Sequence, residues 1–237
     1  MRRITHVRLP LTADMDGHSQ PWWLQVDQQD RIIDLGLMPE GSAIAGENWC
    51  GDVLSPMGID LQINGGLGLP FPELTEAELP QLLQLLDQLW RDGVEAISPT
   101  VVTCGIEPLR RALAVLKEAR SAHQPYRCQL LGAHLEGPFL ADARRGAHPR
   151  QHLARPTMGE LKARINGFEN EIALVTLAPE LDGAAPLIEH LCGLGIRVAL
   201  GHSTADASTA NAAFERGVTM LTHSFNAMPG LHHRKPG

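Results

Sequence analysis

Three side chains in this sequence have the types a catalytic metal ion takes: one carboxylate, Glu136, and two imidazoles, His202 and His223. Each stands in a short polar motif, His134-Leu135-Glu136-Gly137-Pro138, Gly201-His202-Ser203 and Thr222-His223-Ser224. Each motif follows a short apolar run that reads as a strand. Two imidazoles with one carboxylate suit zinc or iron and leave a position open for water. A metal so held brings its water towards a pKa of about 7 and polarises a carbonyl, which is what amide hydrolysis needs. One histidine at a strand end is more often a hydrogen-bonded structural residue than a ligand. Three such residues at strand ends are harder to explain that way. Side chains alternate along a strand, so His134 shares the face of Glu136.

The elements that position these residues alternate. Strands are predicted over Met57–Ile63, Val94–Thr100, Arg127–Leu135, Glu171–Ala178, Arg197–Gly201 and Val218–Thr222. Helices are predicted over Thr75–Asp92, Glu107–Ala122, Met158–Asn166, Ala184–Leu194 and Asp206–Arg216. In the first helix Leu79, Leu82, Leu83, Leu86 and Leu89 recur at helical spacing, and Thr75 with Glu78 forms a capping box. A long polar loop spans Ala141–Arg155. Strand–helix alternation implies a parallel sheet of the α/β class, either doubly wound or an eight-stranded barrel. Residues 1–54 differ: Ile4–Leu11, Trp22–Val26 and Arg31–Leu35 read as small antiparallel strands of a separate β domain, with the catalytic domain over 55–237.

Composition limits the partners. The 237 residues are 43% hydrophobic, enough for a packed core, and carry a net charge of −7, which argues against nucleic acid. No apolar run approaches the roughly 20 residues of a membrane helix, and the N-terminus lacks a signal peptide. The four cysteines form no CxxC motif and read as reduced, mostly buried thiols of a cytoplasmic protein. Two basic runs could still hold one phosphate: Arg144-Arg145-Gly146-Ala147-His148 and His232-His233-Arg234-Lys235. Either run alone reads as a solvated loop. Asn226-Ala227 could offer hydrogen bonds or simply begin a turn. Gln62 and Asn64, where the inner face of the first strand ends, could order water or serve as ordinary turn residues.

Taken in order, His134–Phe139, Arg145–His148, Leu177–Glu180, Gly201–Ser203 and Thr222–Met228 resemble the N-acetylglucosamine-6-phosphate deacetylase family of the amidohydrolase superfamily. The resemblance implies a distorted eight-stranded barrel plus a small β-sandwich formed by both chain ends. It gives Glu136, His202 and His223 the metal-ligand role. It gives Ala147, His148, Asn226 and Ala227 substrate contacts, and Arg234 a contact with the substrate phosphate across a homodimer interface. Gln62 and Asn64 replace the histidine pair that holds a second metal in many superfamily members, so one divalent ion per subunit is expected. Zn comes first, with Fe, Co or Mn also compatible. The family's general base, an Asp after the eighth strand, is expected beyond Gly237, with the last two barrel strands. The resemblance therefore places no catalytic base within this chain and expects metal binding with little turnover from these residues alone. The implied reaction releases acetate from an amino-sugar phosphate. Another acetylated sugar, a cyclic amide or a non-catalytic sugar-phosphate binder are the alternatives.

Overall fold

The structure, a computed structural model, describes residues 1–10, 20–41 and 43–234. Leu11 of the first predicted strand and Lys235 of the second basic run lie outside the described residues. The chain divides into two compact units, Met1–Met57 and Gly58–Gly237.

In the first unit β1 (Arg2–Val7), β2 (Trp22–Val26), β3 (Ile32–Leu37) and β4 (Glu47–Asn48) form one sheet in the order β3-β2-β1-β4. The pairs β1–β2 and β2–β3 are antiparallel, as the apolar runs suggested. The short β4 joins β1 in parallel, which the sequence did not indicate. Ile4, Val7, Leu24 and Val26 form the buried cluster of this sheet.

The second unit contains β5 (Gly58–Ile63), β6 (Val94–Val102), β7 (Gln129–Leu130), β8 (Ala133–Glu136), β9 (Ile172–Leu177), β10 (Arg197–Leu200) and β11 (Met220–Leu221). Helices α1 (Leu79–Arg91), α2 (Ile106–Ser121), α3 (Met158–Ile165), α4 (Ala184–Gly193) and α5 (Ala207–Glu215) alternate with them. These strands pair in parallel, in the order β11-β10-β9-β8-β6-β5, with β7 also beside β6; a separate short antiparallel pair joins Gly65–Gly66 to Leu69–Pro70. A doubly wound sheet reverses its strand order at a switch point. Here the order follows the chain without reversal, which is the winding of a barrel wall. Of the two topologies that the alternation allowed, the barrel type is the one formed.

Three expectations need correction. The strand predicted over Arg127–Leu135 is two strands, β7 and β8, parted at Leu131–Gly132. Gly132 has φ of +123°, and the Ser98 hydroxyl donates to its carbonyl at 2.7 Å, so the break is held by a specific hydrogen bond. Arg127 lies before β7 and turns to α1, where its guanidinium grips Asp87 through Nε–Oδ1 at 2.7 Å and Nη2–Oδ2 at 3.0 Å. That pairing holds the Asp87 carboxyl below its ordinary value.

The helix predicted to begin at Thr75 begins at Leu79. The Thr75–Glu78 capping box is present, but it closes a 3-10 turn at Glu76–Glu78. Pro80 explains the shift: it lacks an N–H, so it belongs in the first helical turn and not in the interior. Of the four cysteines only Cys128 is fully buried, while Cys104 and Cys192 are half-buried and Cys50 is exposed. All four are free thiols. No helix among the described residues is long and apolar enough to cross a membrane.

The main core lies between the sheet and its helices. Leu82 and Leu86 of α1, Leu113 of α2 and Leu187 and Leu191 of α4 pack with Leu135, Val175, Leu177 and Val198 from the strands. The other face of those strands turns polar residues inward, among them Thr100, His134, Glu136 and Thr176, all nearly inaccessible. Every α-helix among the described residues lies in the second unit, so helical circular dichroism reports on that unit. We predict that Leu113→Ala lowers its stability by about 2–5 kcal/mol, the cost of a cavity at a fully buried leucine. Urea titration followed at 222 nm tests this. A change within about 0.5 kcal/mol would mean that the site collapses freely.

Candidate metal centre

Glu136 ends β8 with its side chain buried among ring nitrogens. Its Oε1 lies 2.9 Å from His223 Nε2 and 3.2 Å from His202 Nε2. Its Oε2 accepts a hydrogen bond from the Gln62 amide at 3.1 Å and lies 3.7 Å from His148 Nε2. Ligand atoms of Glu136, His148 and His202 lie within 4.8 Å of one another, a group able to hold a metal ion. The three rings also pack edge to face, with centroids 4.5 Å apart for His148–His202 and 5.0 Å for His202–His223.

The backbone delivers these rings by close approach and unusual turns. His202 follows β10 and Gly201. A Cβ on Gly201 would meet Thr176 Cγ2 and Thr222 Cβ, each at 2.8 Å, so the chain passes there only as glycine. The chain then turns through the left-handed region at His202, φ +49°, and His223 does the same at φ +55°. Such backbone costs a non-glycine residue roughly 1–3 kcal/mol and recurs at functional sites.

Partners fix the tautomer of His202. Its Nδ1 lies 2.8 Å from the Arg144 carbonyl, which can only accept, so Nδ1 carries the proton. The Nε2 of the neutral ring then presents a lone pair to a carboxylate oxygen. Two lone pairs 3.2 Å apart repel unless a proton or a cation lies between them.

The electrostatics agree. Burial, the largest single influence on Glu136, pushes its pKa up. The hydrogen bond with His202 and the charges of His148, His223 and His202 together outweigh it and hold the carboxyl at about 2. Burial lowers His202, but its hydrogen bonds to Glu136 and to the Arg144 carbonyl leave it raised. Burial wins at His148, which is lowered despite the attraction of Glu136.

Beneath the cluster lies a belt of hydrogen bonds. His134 Nε2 meets Thr176 Oγ1 at 2.7 Å, and Thr176 Oγ1 meets Thr222 Oγ1 at 2.8 Å. On the other edge His134 Nδ1 lies 3.2 Å from the Leu61 carbonyl and 3.3 Å from Thr100 Oγ1. Burial lowers the His134 pKa to about 4, so this ring is neutral at pH 7. The belt ties residues of β5, β6, β8 and β9 to Thr222, the neighbour of His223.

The structure brings together Glu136, His148, His202, His223 and Gln62, with His134 directly below. It does not bring the other expected residues to the cluster. Asn64 is exposed, and its carbonyl accepts the Phe71 N–H at 3.2 Å. Ala147 and Asn226 are exposed, while the Ala227 carbonyl accepts the Ser203 N–H at 3.1 Å. Arg234 is exposed and lines a cavity of about 780 Å³ with Arg144, Glu180, Asp206 and His232. That cavity adjoins the cluster through Arg144, whose carbonyl holds His202. Sequence reasoning missed Thr103, whose hydroxyl donates to the Glu136 carbonyl at 3.0 Å and lies 2.9 Å from His148 Nδ1. Its signal was the apolar run continuing through Val101-Val102 past the predicted strand end at Thr100.

No family model matches the sequence. The chain is 40% identical over 190 residues to N-acetylglucosamine-6-phosphate deacetylase of Bos taurus, a match covering 79% of this chain and 46% of that one. It is 35% identical over 187 residues to N-acetylgalactosamine-6-phosphate deacetylase of Escherichia coli O157:H7, covering 78% of this chain and 48% of the relative. The chain thus spans about half the length of the curated relatives it matches. Among solved structures it is similar to N-acetyl-D-glucosamine-6-phosphate deacetylase of Mycobacterium smegmatis, in a mutant complexed with N-acetyl-D-glucosamine-6-phosphate. That likeness has a TM-score of 0.79 and 30% identity, and covers all of this chain and 58% of the other. The resemblance carried by the motifs therefore extends through most of the sequence and all of the fold.

Thr176 supplies the test of the belt. Thr176→Val keeps the shape and removes the hydroxyl that joins His134 to Thr222. Leaving buried polar groups unpaired costs about 1–3 kcal/mol, so urea denaturation is expected to show that loss, with Thr176→Ser close to wild type. Equal stability of all three proteins would mean that the belt contributes nothing.

Proposed function

We propose that this chain forms the metal-binding part of an N-acetylhexosamine-6-phosphate deacetylase. Such an enzyme would hydrolyse the acetamido group of N-acetylglucosamine 6-phosphate to acetate and glucosamine 6-phosphate. The observation that carries the reading is the buried Glu136 carboxylate faced by three imidazoles, at positions reached by the motifs that the deacetylases share with this sequence. The Escherichia coli O157:H7 relative keeps the galacto epimer as a second substrate to assay.

We assign one divalent metal ion, Zn first and Fe, Co or Mn as alternatives, to Glu136, His202 and His223. The donor set fits such an ion: a carboxylate of low pKa and an imidazole whose Nδ1 is tied to a carbonyl, which leaves Nε2 facing that carboxylate. A metal bound there would supply an ionised water near neutral pH and polarise the acetyl carbonyl.

The chain's own residues do the rest. The Gln62 amide holds Glu136 Oε2, which fixes the rotation of the carboxylate. His148 offers Nε2 on the same side and is assigned, with Ala147, Asn226 and Ala227, to holding the sugar. Arg234 is assigned to the phosphate, and in a homodimer it would serve the partner's site. Gln62 and Asn64 stand where a second metal would need histidines, and His134 braces the strand beneath. Proton transfer to the leaving amine is assigned to a residue outside this sequence, as are the remaining barrel strands. Residues 1–54 would then form part of the small β domain, and residues 55–237 part of the catalytic one. A cytoplasmic location accords with free thiols and a phosphorylated sugar substrate.

Metal content after dialysis is the first test. One equivalent is expected in the wild type, and Glu136→Gln and His202→Asn are each expected to weaken affinity at least tenfold. Full retention of metal by both variants would remove the ligand assignment. Phosphate recognition has its own test in the protein that carries this sequence. Arg234→Ala should lower kcat/KM for the phosphorylated substrate by about 10–100-fold, the worth of one charge-assisted hydrogen bond. The unphosphorylated sugar should change far less, and equal loss for both would refute the role of Arg234.

A further inference from the structure

Thr103 stands one residue beyond β6 and is 4% exposed. Its hydroxyl donates to the backbone carbonyl of Glu136 at 3.0 Å and lies 2.9 Å from His148 Nδ1. With that proton given to the carbonyl, Oγ1 holds Nδ1 by accepting its N–H, and the Thr103 backbone nitrogen lies 3.4 Å from the same ring nitrogen. The β6–β8 ladder has already ended with Val102 opposite Glu136, so the sheet does not require these contacts. The chain around them is shaped to admit the hydroxyl. A Cβ on Gly137 would lie 2.2 Å from Thr103 Oγ1, and Gly137 has φ of +89°, which suits glycine. The opposite nitrogen of the same ring, Nε2, faces Glu136 Oε2 at 3.7 Å. The His202 ring stands edge to face against it, 4.5 Å between centroids.

We infer that Thr103 is a positioning residue for His148, clasping Nδ1 so that Nε2 is always the nitrogen presented beside Glu136. Without the clasp the imidazole could rotate about its Cβ–Cγ bond and offer carbon where nitrogen is needed. Thr103 itself touches neither metal nor sugar in this scheme. The hydroxyl also ties the ring to the backbone of Glu136, so the two groups keep a fixed separation. The kinetic consequence rests on the deacetylase reading above, while the clasp itself rests on geometry alone.

The test compares Thr103→Val, which keeps the branched shape without the hydroxyl, with Thr103→Ser, which keeps the hydroxyl. Two readouts are taken on the protein carrying this sequence. The first is acetate release from N-acetylglucosamine 6-phosphate, with kcat and KM separated. The second is the ring ¹⁵N resonances of His148 in metal-free protein. Thr103→Val is expected to lower kcat/KM by about 10–100-fold, the usual effect of losing a partner that orients a site imidazole. It is also expected to move or broaden the His148 ring signals. Thr103→Ser should stay within a few-fold of wild type in rate and keep the signals in place. In a His148→Gln background, adding Thr103→Val should change nothing further, because the clasp then has no ring to hold. The inference is overturned if Thr103→Val matches wild type in both readouts, if Thr103→Ser is as impaired as Thr103→Val, or if the losses multiply in the double variant. Should Thr103→Val fail to fold, Thr103→Ala takes its place in the same comparisons. A wild type that binds no metal and releases no acetate would remove the deacetylase reading, and the ring signals would still decide the clasp.

Discussion

A carboxylate almost wholly removed from water is the constraint on which the rest of the second unit depends. Glu136 is 2% exposed. A buried, unpaired carboxylate would either take up a proton or destabilise the fold by several kcal/mol. It does neither, because imidazoles reach it from the ends of β10 and β11 and from the loop after β8, and an amide reaches it from β5. Each group must arrive with its correct nitrogen forward, and that demand passes outward to the Arg144 carbonyl, to Thr103 and to the hydroxyl belt under the site. Placing the charge also fixes the spacing of the strand ends, since the belt bonds across the same strands that carry the groups around Glu136.

The surrounding backbone absorbs what the side chains require. Left-handed φ at His202, His223, Phe225 and Ala227 concentrates strain along one rim of the sheet. Glycines occur where chains must touch, at 137 beside Thr103 and at 201 between Thr176 and Thr222. The helices follow ordinary rules, with apolar faces on the outside of the sheet and hydrogen-bonded caps at Thr157 and Asp206. Left-handed backbone also occurs at Leu67 and Tyr126 in this unit, but its densest run, His223, Phe225 and Ala227, adjoins the groups around Glu136.

Much of this was legible in the sequence, and the failures have physical causes. Period-3.6 leucines located α1, and the alternation of apolar runs with helices located the parallel sheet. Glu136, His202 and His223 were readable because each closes an apolar run with a polar motif. The true end of β6 lies two residues past the predicted one, because the apolar run continues through Val101-Val102. A proline seldom sits inside a central strand, and here the pairing of β5 with β6 is irregular between Asp60 and Ile63, where Pro99 is accommodated. Misplacing that end hid Thr103. The arrival of His148 against Glu136 was hidden because a loop carries it, and loop paths do not follow from periodicity. The break at Gly132 was hidden because one glycine in an apolar run reads equally as a continuous strand.

The groups around Glu136 come from distant parts of the chain: Gln62 is 74 residues away, His202 66 and His223 87. No local segment can assemble them. Their meeting waits on closure of long loops and on pairing of successive parallel strands, which are slow steps in folding. The centre is therefore a late product of folding. An ion held by Glu136, His202 and His223 would bind tightly only to a chain whose strands are already paired from β8 to β11. Occupancy would then report that those strands have paired in order.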